Sequence, residues 1–152
     1  MSDTSLLIVD VQVNMFDESF PVFNGEQILS RIESLIRTAR ESDLPVVFIR
    51  HNGNTGDLDE PGSLGWQIHP QVAPDPDDLI VNKTCADAFE NTGLQEELEA
   101  RGIGNLIVAG MQTEVCITST CNRARELGYC VTLVKDAHST LKIRRRKRPL
   151  PG

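Results

Sequence analysis

The sequence predicts an α/β fold with a mostly parallel sheet. Two observations carry that expectation. Short apolar runs alternate along the chain with stretches of helical period. The runs are continuous rather than alternating, as in strands buried on both faces. A third observation sets the size: 152 residues hold one domain with a real core, and neither a repeat nor a linker divides them.

The elements follow in order. Ser5–Val11 is the first expected strand, apolar until Asp10. In Gly25–Arg40, Ile28, Ile32, Leu35, Ile36 and Ala39 form one stripe, which makes an amphipathic helix. Pro45–Ile49 is a second strand, rich in β-branched residues. His51 to Asp77 is rich in Gly, Pro and Asp and carries Trp66; a loop this long inside a compact domain is usually functional. Asp78–Asn82 is the third strand. Thr92 and Gln95 have capping-box spacing ahead of a short helix through Glu99. Asn105–Ala109 is the fourth strand, bounded by Gly110. Ile117, Thr120, Cys121 and Ala124 then recur at helical spacing, and Tyr129–Val134 is the fifth strand.

Composition narrows the function classes. Residues 1–141 carry nine basic side chains against all 22 acidic ones, a net of −13, which disfavours nucleic acid. Residues 142–152 hold six basic residues and no acidic one, end in Pro-Leu-Pro-Gly, and are expected to form a disordered tail after a domain over residues 1–141. No apolar run reaches membrane-spanning length, and the first residues lack the basic start of a signal peptide. The four cysteines (Cys85, Cys116, Cys121, Cys130) have no metal-site spacing; free thiols in a cytoplasmic protein are the simplest account.

Three polar residues sit at strand ends. Asp10 ends strand one, Lys83 ends strand three, and Cys116 follows strand four at the first turn of a helix. Each alone suits a structural role: a turn residue, a solvated lysine, a small buried thiol. In a parallel sheet, however, the carboxyl ends share one edge, where ligands bind. A carboxylate to take a proton, an ammonium to hold charge and a thiol to attack make a nucleophilic set. The helix end and the lysine are expected to favour the thiolate, so that Cys116 alkylates faster than the other cysteines near neutral pH.

The residues LLIVDVQVNMF (Asp10, Gln12, Phe16), VNKTCADAFENTGL (Lys83, Phe89, Thr92, Leu94) and VAGMQTEVCI (Gly110, Thr113, Cys116) resemble, in this order, the isochorismatase-like cysteine hydrolase superfamily of nicotinamidases, N-carbamoylsarcosine amidase and isochorismatases. The resemblance covers roughly residues 5–140. It implies a doubly wound sheet of order 3-2-1-4-5 with helices on both faces, and a catalytic triad of Asp10, Lys83 and Cys116. It also implies a cis Met111–Gln112 bond, with the backbone N–H groups of Gln112 and Cys116 forming an oxyanion hole. Gln12, Phe16, His51 and Trp66 are candidate pocket residues; His69 reads as structural.

Two departures follow. Nicotinamidases carry an Asp-x-His metal signature after strand two, where this chain has Arg50-His51-Asn52-Gly53, so neither a metal nor any other cofactor is expected. After Asp136–Thr140 the family continues with a helix and a last strand, where this chain gives LKIRRRKRPLPG. That end reads as a truncation or frameshift that leaves strand five at or near an edge.

The function so implied is hydrolysis of a small amide through a thioester on Cys116, by a cytoplasmic homodimer or higher homo-oligomer with no nucleic-acid or membrane partner. The alternatives are an isochorismatase-type vinyl-ether hydrolase, which needs the aspartate but no cysteine nucleophile, and a truncated non-catalytic relative acting as a binding or oligomer subunit.

Overall fold

The structure is a computed structural model that describes residues 3–16, 25–111 and 113–139. Five strands form one sheet: β1 (Thr4–Val9), β2 (Val46–His51), β3 (Leu79–Lys83), β4 (Asn105–Met111) and β5 (Cys130–Ser139). The order is β3-β2-β1-β4-β5 and every pairing is parallel, as the alternating pattern and the resemblance implied. Parallel neighbours need crossovers, and three helices lie along them: α1 (Gly25–Glu41), α2 (Leu94–Ala100) and α3 (Thr118–Glu126).

Successive residues of the central strands feed two cores, because side chains alternate across a strand. Leu6, Ile8, Val46 and Phe48 pack with Ile28, Leu29, Ile32 and Ile36 of α1 on one face. Leu7, Val9, Val47 and Ile49 pack with Leu94 and Leu98 of α2 and Ile117, Cys121 and Ala124 on the other. Burying each large side chain contributes about 1.5–3 kcal/mol. Arg40, near the end of α1, pairs with Asp75 and Asp78 and so fastens that helix to the turn before β3.

The boundaries that moved have local causes. Strand one stops at Val9 instead of Val11, because Asp10 takes a left-handed φ of 55°. Strand three is shifted by one residue and includes Lys83. Strand four runs on to Met111 because residue 110 is a glycine: its φ is 136°, and a Cβ there would stand 2.1 Å from the Val9 carbonyl oxygen of the adjoining strand. Strand five extends to Ser139 across a register break, with Val108 paired to Leu133 but Gly110 to His138. The capping box does not form. Thr92 Oγ1 accepts from Leu94 N at 3.3 Å and donates to the Ala88 carbonyl at 2.6 Å, Gly93 is the N-cap, and Gln95 reaches Glu99 instead. The basic residues 142–152 lie outside the described residues.

Candidate active site

The carboxyl edge of the sheet gathers the polar residues. Asp10 leaves β1 with its N–H bonded to the Ile49 carbonyl at 2.8 Å, and the left-handed turn there is one that Asp tolerates better than most side chains. Lys83 ends β3, paired in register with His51 of β2. Cys116 lies in a single π-helical turn, Thr113–Ile117, between β4 and α3. Such turns are frequent at functional sites.

These three side chains meet in a dry environment. Asp10 and Lys83 are each 1% exposed, and Cys116 is 9% exposed. Lys83 Nζ stands 3.0 Å from Asp10 Oδ2 and donates to Cys116 Sγ at 3.3 Å. It also donates to the Cys85 carbonyl at 3.0 Å and lies 3.2 Å from His51 Nδ1. Among the described residues neither carboxylate oxygen of Asp10 has a hydrogen-bond partner, and Oδ2 meets Lys83 as an ion pair.

The electrostatics correct one expectation. The Cys116 thiol is not pulled down toward the thiolate but pushed up to about 12. Burial is the main cause and the Asp10 charge adds to it, while the Lys83 ammonium opposes both. Burial likewise works against the Lys83 charge, but Asp10 and Cys116 outweigh it and hold the ammonium above its ordinary range. The resting site therefore contains an Asp10–Lys83 ion pair beside a neutral thiol.

The residues expected to line the pocket are placed differently from one another. Gln12 is 1% exposed and its amide is spent on backbone: Nε2 donates to the His51 and Trp66 carbonyls, both at 3.0 Å, and Oε1 accepts from His51 N at 2.9 Å. It braces the loop rather than facing a ligand. Trp66 stacks on Arg50, whose guanidinium carbon is 3.7 Å from the ring centroid, and donates from Nε1 to Asn52 Oδ1 at 2.7 Å. Phe16 packs edge-on against His69, centroids 5.1 Å apart, beside the α1 core. His69 Nδ1 accepts from Gln71 N at 3.2 Å and so caps the turn Pro70–Val72; burial pushes its pKa down. Of the expected pocket residues Gln12, Phe16, His51 and Trp66, it is His51 that touches the Asp10–Lys83–Cys116 cluster. Gln112 lies outside the described residues, and with it the expected cis bond and one oxyanion donor.

Sequence reasoning missed Asp59, whose Oδ2 is 4.0 Å from His51 Nε2, and the carbonyl of Cys85. Neither has a periodic signal: one lies in an irregular loop, the other is main chain. All four cysteines are free. Among the described residues no three His, Cys, Asp or Glu side chains are grouped to hold a metal ion, and no helix is long and apolar enough to cross a membrane. A surface cavity of about 370 Å³ opens between Arg40, Asp78 and Arg101, at the amino ends of β2 and β3, away from this cluster.

Comparison with known proteins agrees with the geometry. The family model described as the isochorismatase domain matches residues 4–148. The chain belongs to the isochorismatase family. It is 37% identical over 139 residues to a streptothricin hydrolase of Streptomyces noursei, a match covering 91% of this chain and 50% of that protein. The chain thus spans about half the length of that relative. It is 26% identical to a ureidoacrylate amidohydrolase of Stutzerimonas stutzeri, with 90% of this chain and 69% of that one covered. A crystal structure of an isochorismatase from Pseudomonas putida superposes with a TM-score of 0.86 at 31% identity, over 90% of this chain and 70% of that one.

Proposed function

We propose that this isochorismatase-family chain is a cysteine hydrolase that cleaves the C–N bond of a small amide. The observation that supports this most directly is one buried ammonium, Lys83, within 3.0 Å of a carboxylate and 3.3 Å of a thiol. The hydrolase and amidohydrolase names of two relatives point the same way.

The chemistry follows from the resting protonation. Cys116 enters as a thiol, so attack needs a base, and Asp10 Oδ1 is the buried acceptor left open. As sulfur bonds the carbonyl carbon, its proton passes to Asp10, and Lys83 holds the charge that remains. The carbonyl oxygen becomes an oxyanion, and the backbone N–H of Cys116 is the donor proposed to meet it. The C–N bond then breaks and Asp10 returns the proton to the departing amine. Water attacks the thioester with Asp10 again as base, the acid leaves, and the thiol is restored.

The test is a screen of small amides for ammonia release, with Cys116→Ala and Cys116→Ser beside the parent. Both variants are expected to lose nearly all turnover, since a serine hydroxyl is harder still to ionise in this field. Near-normal turnover in Cys116→Ala would remove the thioester and leave Asp10 as the only reacting group, the vinyl-ether reading.

A further inference from the structure

The Lys83 ammonium has three hydrogens, three hydrogen-bonding partners and one ion-pair partner. Asp10 Oδ2 and the Cys85 carbonyl stand at 3.0 Å, His51 Nδ1 at 3.2 Å and Cys116 Sγ at 3.3 Å. An ammonium only donates, so the His51 nitrogen that faces it carries a lone pair, and the ring proton sits on Nε2. That Nε2 faces Asp59 Oδ2 at 4.0 Å, too long for a hydrogen bond but close enough for the charge to favour the N–H there.

Asp59 is held in place. Its side chain is 16% exposed and lies against Gly53, where a Cβ would stand 1.9 Å from Oδ1. Gly53 N also donates to the Asp59 carbonyl at 2.8 Å. The His51-Asn52-Gly53 stretch, which departs from the metal signature of nicotinamidases, therefore builds something of its own.

We propose that His51 is a positioning residue, whose Nδ1 holds the third N–H of Lys83 beside the Cys116 sulfur while Asp59 fixes its tautomer. The role rests on the cysteine-hydrolase reading. At rest the third N–H is shared between the imidazole and the thiol sulfur, a weak acceptor. When the S–H bond breaks and its proton passes to Asp10, the thiolate becomes the stronger acceptor and the N–H turns to it. Lys83 keeps all three protons throughout, and His51 neither gains nor loses one.

Three variants separate this role from a pocket wall. His51→Asn sets an amide oxygen near the position of Nδ1, His51→Gln sets its amide near Nε2, and His51→Ala removes both. The readouts are kcat and KM for an amide cleaved with ammonia release, and the rate at which iodoacetamide alkylates Cys116, followed on its peptide by mass spectrometry. We expect His51→Ala and His51→Gln to lower kcat on the order of 10- to 100-fold with KM within about threefold. Alkylation of Cys116 should slow about tenfold, one unit of thiol pKa, in the same two variants. His51→Asn should recover most of both. The proposal is overturned if His51→Asn is as slow as His51→Ala, if only KM changes, or if Cys116 alkylates at one rate in all four proteins. If His51→Ala unfolds, the Asn and Gln pair still decides. If the parent cleaves no amide, the hydrolase reading falls, while the alkylation series still tests the His51 contact.

Discussion

At Cys116 two opposing influences meet, and burial with a neighbouring carboxylate wins over the ammonium. With its thiol pushed up to about 12, Cys116 should alkylate more slowly near neutral pH than exposed Cys130. Iodoacetamide labelling that is faster at Cys116 than at Cys130 would refute the raised pKa. Under the proposed mechanism Asp10, Lys83 and Cys116 act as one unit, so Cys116→Ala and Asp10→Asn should each remove most turnover, and the double variant should cost little more. Asp10, Lys83 and Cys116 were legible in the sequence because strand ends announce themselves where an apolar run breaks on a polar residue. The thiol's raised pKa was not, since it depends on how little water reaches the sulfur.

The loop from Asn52 to His69 is the element least legible in the sequence. It has no period, and its ties run to residues far away: Gln12 bonds the backbone of His51 and Trp66, 39 and 54 residues on. Gln12 is a pocket candidate in the sequence only through the motif it shares with Asp10 and Phe16; its burial and its three bonds make it a brace. Gln12→Ala should destabilise the fold by about 2–4 kcal/mol, because it strands buried backbone groups, and urea denaturation would measure it. Gly53→Ala should push Asp59 away from His51 and lower kcat with little loss of stability; an unaltered kcat would detach Asp59 from the site. α1, by contrast, was read almost to the residue, because a stripe of five apolar positions leaves one way to pack. Ile32, fully buried in it, should cost about 2–5 kcal/mol when replaced by Ala.

Across the whole molecule, pH acts through the same buried cluster. Both the Cys116 thiol and the Lys83 ammonium have raised pKa values in the folded protein. Each then contributes stability that is present below its unfolded pKa and is lost as pH rises through the folded one. Urea midpoints should therefore fall as pH rises above about 9, and fall less steeply in Cys116→Ala. We also propose that the chain associates as a homodimer or higher homo-oligomer. β5 is the outer strand of the sheet among the described residues, and Leu64 is 78% exposed. Sedimentation as a 16.8 kDa monomer at micromolar concentration would refute this. The order of the sheet carries one more consequence, for synthesis. β1 leaves the ribosome first, yet it is the central strand: Thr4 pairs with Asn105 and Val9 with Gly110. At about 5–20 residues per second, its apolar Leu6–Val9 waits roughly 5–20 s for that partner to be made. A nascent chain stalled before β4 holds one side of this apolar strand unpaired, so yield from expression should depend on chaperone supply and on temperature during those seconds.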